Sequence, residues 1–156
     1  MPEIKTRKAT DRDVPGVVEC SAALFQEDAG ARDPSIDVSW PRSYGPARFR
    51  EMIDDADRLL LVAEAEGAVV GHLSGSLSHP SPMRPVTVAT LMSMYLRPEW
   101  RSYGGGGLLV ASFHEWARQN RADRVSVTAY AGNDRAIAFY RRNGFEPHAL
   151  ILESPL

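Results

Sequence analysis

Residues 86–107 read Val86-Thr87-Val88-Ala89-Thr90-Leu91-Met92-Ser93-Met94-Tyr95-Leu96, then Arg97-Pro98-Glu99-Trp100-Arg101-Ser102-Tyr103, then Gly104-Gly105-Gly106-Gly107. The first eleven are rich in β-branched and apolar residues and form an expected central strand. Pro98, which lacks an N–H for a ladder, ends it. Beyond the glycines, Leu109, Phe113, Trp116 and Ala117 recur at helical spacing and mark the buried stripe of a helix ending near Asn120. A glycine turn between strand and helix points backbone N–H groups outward, and the helix N-terminus adds about half a positive charge, so phosphate is its natural guest. Residues Arg101, Ser102, Tyr103, Gly104, Gly105, Gly106 and Gly107 supply those amides. A P-loop is excluded because no lysine follows the glycines; Lys5 and Lys8 are the only lysines. A dinucleotide fingerprint fails because Leu109 stands where its third glycine belongs.

Working outward, Ile4–Arg7 alternates weakly as a strand, and Thr10 with Asp13 fits a capping box. Val14, Val17, Val18, Ser21 and Phe25 then define a helix to about Gln26, with Cys20 packed in its core. Residues 27–45 show no steady period and are expected to form a long loop, with Trp40 and Tyr44 as candidate pocket-lining residues. Phe49, Met52 and Ile53 give a short helix over 46–54, followed by solvated acids Asp54, Asp55 and Asp57. Leu59–Glu64 and Ala68–Leu77, broken by Glu66-Gly67, read as a hairpin, and 79–85 holds three prolines and reads as a loop. Arg124–Tyr130 is an expected strand and Asn133–Asn143 an expected helix, with Ala136, Ile137 and Tyr140 on one side and Gly144 as its stop. Phe145–Leu152 is expected to be a last strand. The class is mixed α/β (α+β).

At 156 residues, a single domain spanning 1–156 is expected. Apolar residues at 44% and charged residues at 24% exclude a disordered or collagen-like chain. A formal charge of −2 gives no bulk positive field, so no nucleic-acid or membrane partner is expected. One cysteine makes no intramolecular disulfide and the N-terminus has no signal-like apolar core, which points to the cytoplasm.

Two segments carry a resemblance. Met94–Gly106 is similar to a strand end followed by Arg/Gln-x-x-Gly-x-Gly/Ala, and Asn133–Phe145 to Asn-x-x-Ala-x-x-Phe-Tyr-x-x-x-Gly-Phe. In this order, about thirty residues apart, they resemble the GNAT superfamily of acyl-CoA-dependent N-acetyltransferases from about Leu59 onward. The resemblance implies a mostly antiparallel sheet splayed at the cofactor site and flanked by about four helices. It implies acetyl-CoA as co-substrate, no metal, and transfer of acetyl to a primary amine of a small molecule or peptide by direct attack in a ternary complex. Residues 101–107 would wrap the pyrophosphate of coenzyme A, while Met94 and Leu96 pair with pantetheine as a strand edge pairs with a peptide. Asn133 would bond the pantetheine arm and Phe139 line the channel. Tyr140 would protonate the departing thiolate, a role that a phenol with a pKa of about 10 can fill.

Aminolysis also needs the amine neutral, and Glu27, Asp28, Glu64, His72, His79 and Ser93 are the candidate bases, with ordered water as the route if none is fixed. A longer acyl-CoA and a non-catalytic acyl-CoA-binding module remain as alternatives. Gly105 and Gly107 depart from the commoner family residues. Only residues 146–156 follow Phe145, where many members have two strands, so a homodimer in which a partner completes that end is an expectation.

Overall fold

A computed structural model describes residues 2–156. The chain order is β1 (Lys5–Lys8), α1 (Val14–Leu24), a π-helical turn (Phe25–Ala29), the short α2 (Gly30–Arg32) and α3 (Trp40–Ser43), α4 (Gly45–Asp54), β2 (Arg58–Ala65) and β3 (Ala68–Ser78). It continues with β4 (Val88–Leu96), α5 (Gly105–Gln119), β5 (Arg124–Val127) and α6 (Asp134–Arg142). The sheet runs β1-β2-β3-β4-β5, antiparallel except for the parallel β4–β5 pair. That pair requires the α5 crossover, because parallel neighbours cannot be joined by a tight turn.

Both faces of the sheet are covered, which is why β2 reads as an unbroken apolar run rather than an alternating one. Leu61 faces α5 with Leu73, Leu91, Leu109 and Phe113, while Leu60 and Val62 face Val14, Val17, Val18, Phe49 and Met52 of α1 and α4. α1 is entered as expected: the Asp13 carboxylate accepts the Thr10 N–H at 2.8 Å, and Arg7 clamps the same carboxylate at 2.7 and 3.0 Å, holding its pKa below the usual range. Cys20 lies buried on α1, and burial pushes its thiol up to about 11.

Two expectations are corrected. Residues 27–45 are not a continuous loop: the chain stays helical through Arg32 and forms α3. Asp33 and Asp37 each accept the backbone N–H two residues on, from Ser35 and Ser39, and Phe25 stacks on Trp40 at 5.9 Å. Local turns and one aromatic contact thus order a stretch without periodicity. Residues 145–152 do not form a strand. Leu150, Ile151 and Leu152 are 71%, 76% and 85% exposed, and a strand needs a neighbouring edge as well as propensity.

His72 lies in the middle of β3, fully buried, with Nε2 3.2 Å from Ser93 Oγ and no partner for Nδ1. Burial lowers its pKa to about 4 from 6.5. The unfolded chain therefore takes up a proton near pH 6.5 that the folded chain refuses until about pH 4, so stability falls as pH falls through that window. The loss reaches about 3 kcal/mol at its acid end. Denaturant unfolding at successive pH values should show it, and His72→Gln should flatten the dependence.

Candidate functional site

β4 and β5 pair only over Val88–Leu91 and Arg124–Val127, after which β5 stops and β4 runs on to Leu96 with that side open. The register on the β3 side shifts at Met92: Ser74 faces Ser93 and Gly75 faces Leu91, leaving Met92 as a bulge. Arg97 N–H donates to Val70 O at 2.8 Å, so by strand alternation the backbone groups of Ser93 and Tyr95 also face β3. Those of Met94 and Leu96 face the opening. A cleft of about 550 Å³ fills it, bounded by this edge, the glycine turn, the start of α6 and the π-helical turn.

The turn is built for close approach. Ser102 and Gly104 have φ of +71° and +85°, and Gly104 caps α5. The N–H groups of Gly105, Gly106 and Gly107 lie in the first helical turn, where no carbonyl precedes them at bonding distance in the helix. A Cβ on Gly106 would stand 3.2 Å from the Phe139 ring, whereas one on Gly107 would meet nothing within 4 Å. A Cβ on Gly105 would lie 3.0 Å from Ile4 Cδ1 and 3.1 Å from Leu96 Cδ2, so those two methyl groups would have to give way to it.

Two acids on the π-helical turn tie these parts together. Glu27 accepts from Arg101 at 2.8 Å and from the Tyr95 hydroxyl at 3.0 Å, while Arg101 Nε donates to Leu96 O at 2.8 Å and its guanidinium sits 5.3 Å from the Tyr95 ring centre. Asp28 accepts from Arg32 at 2.7 Å and from Asn133 Nδ2 at 3.1 Å. The other end of the Asn133 amide caps α6 by accepting the Ala136 N–H. Tyr140, on α6, lies edge-on to Phe139 and Phe145, and burial, with Asp28 adding to it, pushes its phenol up to about 12. Tyr140 therefore keeps its proton at neutral pH.

Residues 24–145 match the acetyltransferase (GNAT) family. The chain belongs to that family. The GNAT match begins before Leu59, so it includes the π-helical turn. An uncharacterized N-acetyltransferase of Bacillus subtilis, YhfO, is 26% identical over 102 residues, 64% of this chain and 66% of that protein, so the chain spans just under two thirds of that curated relative. A crystal structure of a mutant of the BH1408 protein from Bacillus halodurans superposes with a TM-score of 0.87 at 21% identity, covering 97% of this chain and 99% of that one. The PaiA N-acetyltransferase of Thermoplasma acidophilum, crystallised with coenzyme A, gives 0.78 at 20% identity over 92% and 90%. The solved neighbours share the GNAT fold with this chain.

Of the site residues expected from sequence, Met94, Leu96, Arg101, Ser102, Gly104, Gly106, Gly107, Asn133, Phe139 and Tyr140 line the cleft of this GNAT domain. Tyr103 is turned to solvent and Gly105 to the core. Among the candidate bases, Glu27 and Asp28 line it. Glu64 instead pairs with Arg7, His79 with Asp57, and His72 with Ser93. Trp40 packs between Phe25 and Phe49, and Tyr44 is exposed. Arg32, Tyr95, Arg135 and Arg142 also line the cleft and were not singled out from sequence. Arg135 and Arg142 fall inside the second motif; Arg32 carries no sequence signal at all.

The glycines should separate by conformation. Gly104→Ala should destabilise by about 1 kcal/mol because its φ is positive, and Gly107→Ala should stabilise by about 0.5 kcal/mol because its space is open. Urea unfolding of the two variants checks both signs.

Proposed function

We propose that this GNAT domain, acting as a single unit in the cytoplasm, transfers the acetyl group of acetyl-CoA to a primary amine of a small molecule or peptide, by direct attack in a ternary complex. The observation that carries the reading is one cleft in which an unpaired strand edge runs into an anion-binding glycine turn beneath a protonated tyrosine. The cleft fits coenzyme A on its own geometry: the outward amides of Met94 and Leu96 match an amide-bearing arm, and the Gly104–Gly107 turn leaves backbone N–H groups uncovered for phosphate. Bound acetyl-CoA supplies a thioester carbonyl for the amine to attack.

The chain's own residues then have distinct tasks. Ser102 and the glycine N–H groups hold the pyrophosphate, while Arg101 fixes the turn to the strand end through Leu96 O and Glu27. Because Arg101 occupies that carbonyl, the free group at Leu96 is its N–H, which donates to the thioester oxygen as charge develops there. Asn133 positions the arm, Phe139 walls the channel, and the Tyr140 hydroxyl gives its proton to the departing sulfur. The amine loses its proton to water in the cleft.

Calorimetric titration with acetyl-CoA and with adenosine alone tests the site: binding that requires the pantetheine and phosphates is expected. Binding with no turnover across an amine panel would leave a non-catalytic acyl-CoA module. Tyr140→Phe should lower kcat at least tenfold at little change in acetyl-CoA affinity, and unchanged turnover at saturation removes the acid role.

A further inference from the structure

Three polar side chains meet inside the apolar layer between the sheet and helices α1 and α4. His72 and Ser74 stand on β3 opposite Val62 and Leu60, two residues of that layer, and both are buried. Ser93 reaches them from β4: its Oγ lies 2.6 Å from Ser74 Oγ and 3.2 Å from His72 Nε2. Phe49 packs on the imidazole at 6.3 Å, and Nδ1 has no partner. Burying such a group costs free energy that an apolar trio of similar size would not.

The place of the trio gives that cost a purpose. Ser74 and Ser93 form the pair at which the ladder shifts, and Met92 bulges out beside them, 51% exposed. A ladder continued regularly from Gly75 and Leu91 would set Met92 opposite Ser74, Ser93 opposite Leu73 and Met94 opposite His72. Apolar burial alone favours that regular ladder, because it brings Met92 in from solvent. It would also turn Ser93 into the apolar layer under α5 beside Leu73, and leave His72 and Ser74 facing two methionines. The three polar groups satisfy one another only in the bulged register.

We propose that His72, Ser74 and Ser93 are positioning residues: their mutual hydrogen bonds select the bulged register of β4. They thereby decide that the amides of Met94 and Leu96, and not those of Ser93 and Tyr95, face the cleft. Fixing a register is the best-attested use of buried polar groups. The consequence for acetyl-CoA rests on the function proposed above; the choice of register does not.

Amide hydrogen exchange reads the register without any ligand. In the wild-type chain the N–H groups of Ser93, Tyr95 and Arg97 should exchange slowly and those of Met94 and Leu96 fast. The variant His72→Leu/Ser74→Ala/Ser93→Ala should fold with a urea midpoint no lower than that of the wild type and lose this alternation. Its acetyl-CoA binding should weaken by roughly tenfold or more. Ser93→Ala, which removes only the central hydroxyl, should lose the alternation in the same way and stands in if the triple variant does not fold. Ser93→Thr, which keeps a hydroxyl in that place, should restore both readouts. An alternation that survives in the triple variant or in Ser93→Ala overturns the proposal, as does its absence from the wild type. Loss of the alternation at unchanged acetyl-CoA affinity breaks the link to the cofactor. A wild-type chain that binds no acetyl-CoA removes the proposed function instead, and the exchange pattern still decides the register.

Discussion

The site depends on β4 and β5 parting company after four paired residues. In a continuous sheet the amides of Met94 and Leu96 would be consumed by a neighbour, and no ligand could read them. Their availability follows from two local facts: β5 ends at Val127, and the bulge at Met92 puts the even-numbered backbone groups of β4 on the open side. The Gly104 turn then leaves the strand at the end of that exposed edge. The strand edge and the amides at the start of α5 are thereby placed in sequence along one path.

Charge organises the other wall. The π-helical turn brings Glu27 and Asp28 to the cleft, and each acid bonds a residue of a different motif: Glu27 takes Arg101 and Asp28 takes Asn133. Inserting a π turn after α1 re-aims these side chains without breaking the helix, which is a common use of such turns at functional sites. Asp28 also reinforces the protonated state of Tyr140. The wall thus acts on the chemistry of α6 as well as on its position.

Much of this was legible in the residues. The hairpin, the end of β4 before Pro98, the stripe of α5 and the capping box of Thr10 and Asp13 all rest on short-range rules, and all are present. Residues 27–45 were not legible, because their order comes from Asx-type turns at Asp33 and Asp37 and from the Phe25–Trp40 stack. The pairing of Glu27 with Arg101 spans 74 positions and that of Asp28 with Asn133 spans 105, distances over which no local pattern speaks. The opposite error at residues 145–152 has a related cause. Propensity belongs to the segment itself, whereas a strand also needs an edge to bond to.

The burial of Cys20 has a practical side. A thiol raised to about 11 and sealed inside α1 holds almost no thiolate at neutral pH, and none within reach of an aromatic disulfide reagent. Colour from such a reagent added to the folded protein with an acyl thioester therefore reports liberated coenzyme A, with no contribution from the protein itself.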